Sequence, residues 1–393
     1  MEKKRWFLAA NALMGFLFLG LIYAWSVFVG PLELEFGWTR SQTSLTFSIC
    51  MAMFCVGGLA AGWLLKKTSP RAVIVLCGVV IMAGFLLASR VGSLYELYIF
   101  YGAFCGFAVG VGYNTLLDVT LRWFPERQGL ISGALLMGFG VGGSVLGSVA
   151  LFMINAMGWR GTFKVLGVAL ALSLIAISLN VRKPPSDQEK RQNGGQDFPT
   201  GQMLRDRSFY AYYFRSMFVA AIGLAMIGNA APFVYSVSND PVAAASIGGL
   251  PSVFSGVGRI AGGVAFDKIG SRKALWLGIG GVTLSMSILT WAAVSGSLAA
   301  LTAGYVMGGF FYGANVPCNA GYTNKIYGQK NFAVNLGILN TNVVFSSFLG
   351  PYVAGVLFTR TGAYAAPCVM SLAMCGGGVA ATALLRRHYV PEK

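Results

Sequence analysis

Charged residues are scarce in this 393-residue chain: Asp, Glu, Lys and Arg make up 11% of it, against roughly 25% in an average soluble domain. The 13 acidic and 29 basic side chains are too few to coat a soluble core of this size. That excludes a cytosolic enzyme, a secreted disulfide module and a disordered chain. Histidine occurs once, as His388, and there is no Ser/His/Asp set, no metal-ligand spacing and no phosphate-binding P-loop. No catalytic residue, metal or cofactor is therefore indicated, and ATP does not drive this protein. Seven cysteines (Cys50, Cys55, Cys77, Cys105, Cys318, Cys368 and Cys375) all fall in apolar stretches without a C-x-x-C pair. They suit packing rather than a disulfide framework.

Apolar residues fill the space that charge leaves. They make up 56% of the chain, and the mean hydropathy is +0.66. A helix crosses the roughly 30 Å of bilayer hydrocarbon with about 20 mostly apolar residues. Twelve stretches are long and apolar enough to do so, at about 6–30, 41–65, 72–89, 94–121, 128–153, 162–181, 208–237, 242–266, 274–294, 297–323, 331–358 and 363–385. The 53 glycines run through them and let helix backbones approach closely in lipid. The reading is an all-α membrane protein of 12 transmembrane helices, with the lipid bilayer as its surroundings. Lys3, Lys4 and Arg5 ahead of a long apolar run read as an uncleaved first span rather than a signal peptide.

The net charge of +16 orients the chain and recruits no nucleic acid. With both termini cytoplasmic, 22 Lys and Arg fall on the cytoplasmic side and five on the outer side (Arg40, Arg90, Arg160, Lys164 and Arg360). This is the positive-inside pattern of a multi-pass protein of the plasma membrane, the inner membrane in a bacterium. Arg215 and Arg259 alone fall inside spans.

One polar stretch, 182–207, carries the Pro, Gly and charge of a cytoplasmic linker. It divides the chain into an N-terminal six-helix bundle, 1–181, and a C-terminal one, 208–393. The halves repeat. A shift of 203 carries Gly106 onto Gly309, Gly110 onto Gly313, Arg122 onto Lys325 and Gly147 onto Gly350, and a shift of 201 carries Gly62 onto Gly263. Two pseudo-symmetric six-helix bundles around a midplane site are a transporter plan.

The loop Gly263-x-x-x-Asp267-Lys268-x-Gly270-Ser271-Arg272-Lys273 resembles the signature of the major facilitator superfamily. Its first-half copy departs from it, with Lys66 in place of the acid and Ser69 in place of the glycine. Further stretches resemble the oxalate/formate antiporter family, which is related to the monocarboxylate transporters. They are Ile22–Phe28 with Pro31 and Phe36-Gly37-Trp38, Trp123–Gly133, Gly258-Arg259-Ile260, and Gly337-Ile338-Leu339 with Gly350-Pro351. The resemblance implies the major facilitator fold and secondary active transport of small organic anions by alternating access. It leaves open whether a proton or a second anion is the coupled species; the chain is expected to act as a monomer. A multidrug exporter of the same fold is the alternative, but cation efflux would want a deep carboxylate where this chain has Arg259.

Arg259 lies eight residues, about 12 Å, before Asp267, and its burial costs at least about 2.5 kcal/mol. The family's carboxylate-binding arginine falls at this place. A planar guanidinium grips a carboxylate through two parallel bonds; the alternative is an arginine that caps carbonyls or pairs with Asp118. Its first-half counterpart is Gly58, so the charge is one-sided. The oxalate carrier of the family has a lysine in the eleventh span where counting places Val343 here, which favours monocarboxylates such as lactate or formate over oxalate. The acid that monocarboxylate transporters carry four residues earlier is Ser255 here. In this superfamily spans one, four, seven and ten line the cavity. Tyr23, Trp25, Tyr113, Asn114, Tyr312 and Asn315, with Asn340 in the eleventh span, supply candidate rings and hydrogen-bond groups. Asp118, four residues before Arg122, together with Asp267 and Arg272, are candidates for gating or coupling. Arg215, about 10 Å into the seventh span, either snorkels to the interface or adds a second cavity charge.

Overall fold

The computed structural model describes residues 2–181 and 198–385, and among them every regular element is helical. Nine helices among the described residues are long and apolar enough to cross a membrane. One of these, Gln128–Asn180, has 53 residues and is two spans joined at Gly158, whose φ of 73° and ψ of 166° break the helix. That conformation is open essentially to glycine alone. Pro241–Ile269 and Leu298–Tyr327, with 29 and 30 residues, are long enough but richer in Gly, Ser, Asn and Tyr. Counted in chain order they are the eighth and tenth spans, and the total is twelve.

Local chemistry sets the span ends. Thr39 and Gln42 form a reciprocal capping box, Ser69 caps a helix whose first residue is Pro70, and Asp240 caps one that begins at Pro241. Three spans are irregular. The first (Lys4–Phe36) tightens to a 3₁₀ turn over Gly20–Trp25. The fourth (Leu94–Trp123) widens to a π turn over Tyr98–Cys105, and the eleventh (Phe332–Thr361) does so over Phe348–Tyr352, around Pro351. Such departures concentrate at functional positions.

The repeat seen in the sequence is a repeat of backbone contacts. A side chain added at Gly57 would run into the Phe107 carbonyl, and one at Gly258 into the Phe310 carbonyl. Gly106 and Gly110 lie on the carbonyls of Cys50 and Phe54; Gly309 and Gly313 lie on those of Pro251 and Ser255. Spans two and four of the first half therefore meet as spans eight and ten of the second do, each through glycines that bring backbones together.

The chain forms two compact units. The first comprises Met1–Pro125, Ala134–Asp197 and Gly328–Ile338; the second comprises Glu126–Gly133, Phe198–Tyr327 and Leu339–Lys393. In the first, Trp25, Phe28, Tyr101 and Phe163 pack ring on ring. In the second, Tyr364 stacks between Phe233 and Phe358.

Of the expected linker, 182–197 lies outside the described residues, and the rest is more ordered than a linker. The Phe198 N–H donates to the Tyr327 carbonyl at 3.1 Å. Thr200–Met203 forms a helical turn, and Asp206 caps the seventh span (Arg207–Ser238) while accepting from the Tyr327 hydroxyl at 3.1 Å. Tyr327 thus gives these residues the fixed partners that their composition does not announce.

Candidate functional site

In the eighth span Ser255 and Arg259 lie one turn apart, with Asp267 two turns further on. Arg259 is half-buried, and its Nε is shielded from solvent. Glycines make room around it. Gly258 touches the Phe310 carbonyl, Gly262 that of Ala314, and Gly133 the carbonyl of Arg259 itself. The Tyr312 ring, from the tenth span, fills the space over Gly223 of the seventh span. Ser255 is buried, and its hydroxyl makes no hydrogen bond among the described residues. A half-buried cation in a stretch packed through glycine backbone suits a small anion.

The first half has no room for the same device. A side chain at Gly58 would meet the Asn114 amide, whose Nδ2 donates to the carbonyls of Gly58 at 2.8 Å and Ala333 at 3.3 Å. Asn114 is 1% exposed and clamps spans, so its assignment to substrate binding gives way to a structural one.

Two carboxylates are engaged near span ends. Asp118 is 3% exposed. Arg122 holds it with two parallel bonds, Nε to Oδ2 at 3.0 Å and Nη2 to Oδ1 at 3.1 Å. Gln329 donates to the same carboxylate at 3.0 Å and accepts from Arg122 through its carbonyl at 3.2 Å. The spacing of Asp118 and Arg122 announces the pair; Gln329, 211 residues from Asp118, is the partner that sequence reading misses. Asp267 lies past the apolar stretch 242–266, in the last turn of the helix Pro241–Ile269. It sits at a helix start, with one oxygen accepting from the Gly129 N–H and the other from the Leu130 N–H, both at 2.8 Å. Unsatisfied N–H groups and the helix dipole make that end an anion site.

A family model, the Major Facilitator Superfamily, matches residues 11–351 and 216–393. The chain belongs to this superfamily. The facilitator is 24% identical over 89% of its length to the oxalate:formate antiporter of Oxalobacter formigenes, covering 85% of that protein. It is 28% identical over 93% of its length to monocarboxylate transporter 13 of Bos taurus, covering 86% of it. An uncharacterized MFS-type transporter of Escherichia coli, YhjX, is 25% identical over 86% of this chain and 84% of its own. Among solved structures, the proton:xylose symporter XylE bound to 6-bromo-6-deoxy-D-glucose superposes with a TM-score of 0.73 at 13% identity. The match covers 98% of this chain and 96% of XylE; at that identity it shows the fold.

Within this fold the remaining candidates separate. Tyr23 is 45% exposed and lies against Phe47 and Phe139. Tyr113 is ringed by Phe16, Phe54 and Phe139. Asn340 is half-buried at the end of the helix Phe332–Asn340. Trp25 is a correction: it is buried, and its indole donates to the Thr43 carbonyl at 3.0 Å, so it packs span one on span two. Asn315 is another. Its Oδ1 accepts from Arg215 of the seventh span at 2.5 Å and its Nδ2 donates to the Phe311 carbonyl of its own helix at 2.8 Å, so both ends of its amide are committed within the protein rather than to a substrate.

Arg215 neither snorkels nor faces an open cavity. It is fully buried and donates to Thr382, to the Leu275 carbonyl and to Asn315. The facilitator uses this charge as a tie among its helices. Arg272 is exposed and makes no ion pair with Asp267 within the described residues; it borders a surface groove instead. The turn at Gly270, whose φ is 86°, separates the two residues.

Proposed function

We propose that the facilitator is a secondary transporter of small monocarboxylates, with Arg259 as the residue that grips the carboxylate. The observation that carries this reading is a half-buried arginine in the eighth span, bounded by glycine backbone. A deep cation selects anions, and relatives named for oxalate, formate and monocarboxylates support the same class. One arginine suits one carboxylate, and Val343 adds no second charge. Tyr312 and Asn340 of the same unit are assigned to the proposed lining; Tyr23 and Tyr113 are kept as candidates within the first unit. The protein works as a monomer by alternating access.

The coupled species we assign to a second anion. Asp118 is the only acid well inside a span, and Arg122 and Gln329 occupy it. Ser255 stands where proton coupling through Arg259 would want an acid. Asp118 and Asp267 act as latches that open and re-form in each cycle. Uptake of labelled lactate, formate, acetate and oxalate into proteoliposomes, with and without a pH gradient, tests the assignment. Accelerated uptake from a preloaded monocarboxylate, with no drive from the pH gradient, is the expected result. Drive by the gradient without an internal anion refutes exchange.

We place both termini and residues 182–197 on the cytoplasmic side of the plasma membrane, because 22 of the basic residues fall there and five outside. The seven native cysteines are buried, so Asn193→Cys supplies the reactive thiol. It should resist impermeant reagents added to intact cells and react once the membrane is opened.

A further inference from the structure

The ninth span (Ser271–Ser295) carries a groove of about 880 Å³ along its outer face. Its walls are apolar, from Leu277 and Leu284 to Met307 and Phe311, and Leu277 and Leu284 are more than half exposed. One end only is polar, where Arg272, Lys273 and Trp276 meet. From Arg272 to Leu284 a helix rises about 18 Å, close to the roughly 15 Å depth of one leaflet's hydrocarbon. At the middle of the face Gly280 leaves a slot, since a side chain there would meet nothing. Arg272 and Lys273 occupy the first turn of a helix whose cap, Gly270, supplies no side-chain acceptor. The positive end of the helix dipole and two side-chain cations therefore coincide at the mouth of the groove.

We propose that this groove binds an anionic phospholipid, with one acyl chain along Leu277, Gly280 and Leu284 and the headgroup phosphate on Arg272 and Lys273. Charge complementarity chooses this occupant. A zwitterionic lipid or a neutral detergent fills the apolar slot equally well but gains less from two cations at the same end, because its headgroup carries no net negative charge. A partner helix packed on the apolar walls likewise gains nothing specific from two cations gathered at one end. In the orientation proposed above, the headgroup end lies in the cytoplasmic leaflet. Binding itself does not depend on that orientation, nor on the substrate.

Thermal stabilisation of the purified full chain in detergent tests this, with dioleoyl phosphatidylglycerol or dioleoyl phosphatidylcholine titrated into the micelles. Two cations at a membrane surface correspond to roughly thirtyfold tighter binding of the anionic lipid. Phosphatidylglycerol should stabilise at correspondingly lower mole fraction, and inorganic phosphate should have no effect. The double variant Arg272→Gln/Lys273→Gln should bring the two lipids level. Gly280→Phe, placed in open space where folding is unaffected, should weaken both. Equal stabilisation of the native chain by the two lipids overturns the proposal. So does a phosphatidylglycerol preference that survives in the double variant, or lipid stabilisation that Gly280→Phe leaves unchanged. Transport failure in these variants would not bear on Arg259, whose substrate binding is read separately.

Discussion

In the first half of the chain Gly57 lies on the Phe107 carbonyl, and the next residue is Gly58. In the second half Gly258 lies on the Phe310 carbonyl, and the next residue is Arg259. The backbone geometry is repeated while the chemistry is not. Asn114 fills the place beside Gly58 and ties it down through a hydrogen bond; the position corresponding to Asn114 is Pro317, which carries no such amide. The loops differ in the same sense, since Asp267 caps a helix start whereas its first-half counterpart is Lys66. Packing is what a duplicated six-helix unit must keep, because glycine contacts cannot change without moving backbones. Side chains aimed at a ligand are free to diverge, and here they concentrate the charge on one half.

Removing that charge should have the largest effect. Arg259→Gln should abolish transport, and Arg259→Lys should lose most of it, because a point charge cannot match a carboxylate's two oxygens. The loss of a charge-assisted contact in a poorly solvated pocket corresponds to about 2–5 kcal/mol of binding. The measurement is stabilisation of purified protein by lactate or formate, read against unliganded melting. A purely structural arginine would lower the melting temperature and leave stabilisation by ligand intact.

Next comes the buried pair of the first half. Asp118→Asn leaves Arg122 with a neutral partner, and breaking a buried ion pair from one side costs about 3 kcal/mol. Chemical or thermal unfolding in detergent should show that loss. Double replacement, Asp118→Asn with Arg122→Gln, should recover part of it, since the uncompensated charge is then gone. A single variant as stable as the native chain would mean that Gln329 alone holds these helices.

A smaller effect tests the shared packing. Gly57→Ala and Gly258→Ala each push a methyl group into a facing carbonyl, and overpacking of this kind costs about 1–3 kcal/mol. The two variants should lose stability to within about 1 kcal/mol of each other. Markedly unequal losses would show that the halves repeat in sequence without carrying the same load.

Much of the molecule is legible in residue order, for definable reasons. Span count follows from length and hydropathy. The repeat follows from glycine spacing, because Gly106, Gly110, Gly309 and Gly313 are constrained by backbone approach. Asp118 and Arg122 are adjacent on one helix face, so their bond is local. What stays hidden depends on contacts far apart in the chain. Arg215 reads as an interfacial cation in sequence, but Asn315, Leu275 and Thr382 from three other spans enclose it. Trp25 reads as a pocket ring, yet the Thr43 carbonyl claims its indole. Arg272 reads as a gating or coupling candidate alongside Asp267, and the turn at Gly270 separates the two.

The smallest expected effect concerns the loop carboxylate that the first-half copy replaces with Lys66. Asp267 accepts from the Gly129 and Leu130 N–H groups, one to each carboxylate oxygen. Asn at 267 keeps one acceptor, loses the other and removes the charge that faces the helix end. Capping bonds and helix-end charges are each worth about 0.5–2 kcal/mol, so Asp267→Asn should leave global melting nearly unchanged. The local consequence is sharper: amide exchange at residues 129–131 should accelerate several-fold while the neighbouring spans keep their protection. Lys66→Asp, at the corresponding first-half position, is the matching control. It should leave exchange at 129–131 untouched, since no bond from Lys66 holds that helix start. If Asp267→Asn leaves exchange at 129–131 at its native rate, the two bonds do not hold the helix end, and the asymmetry of the loops has no mechanical consequence.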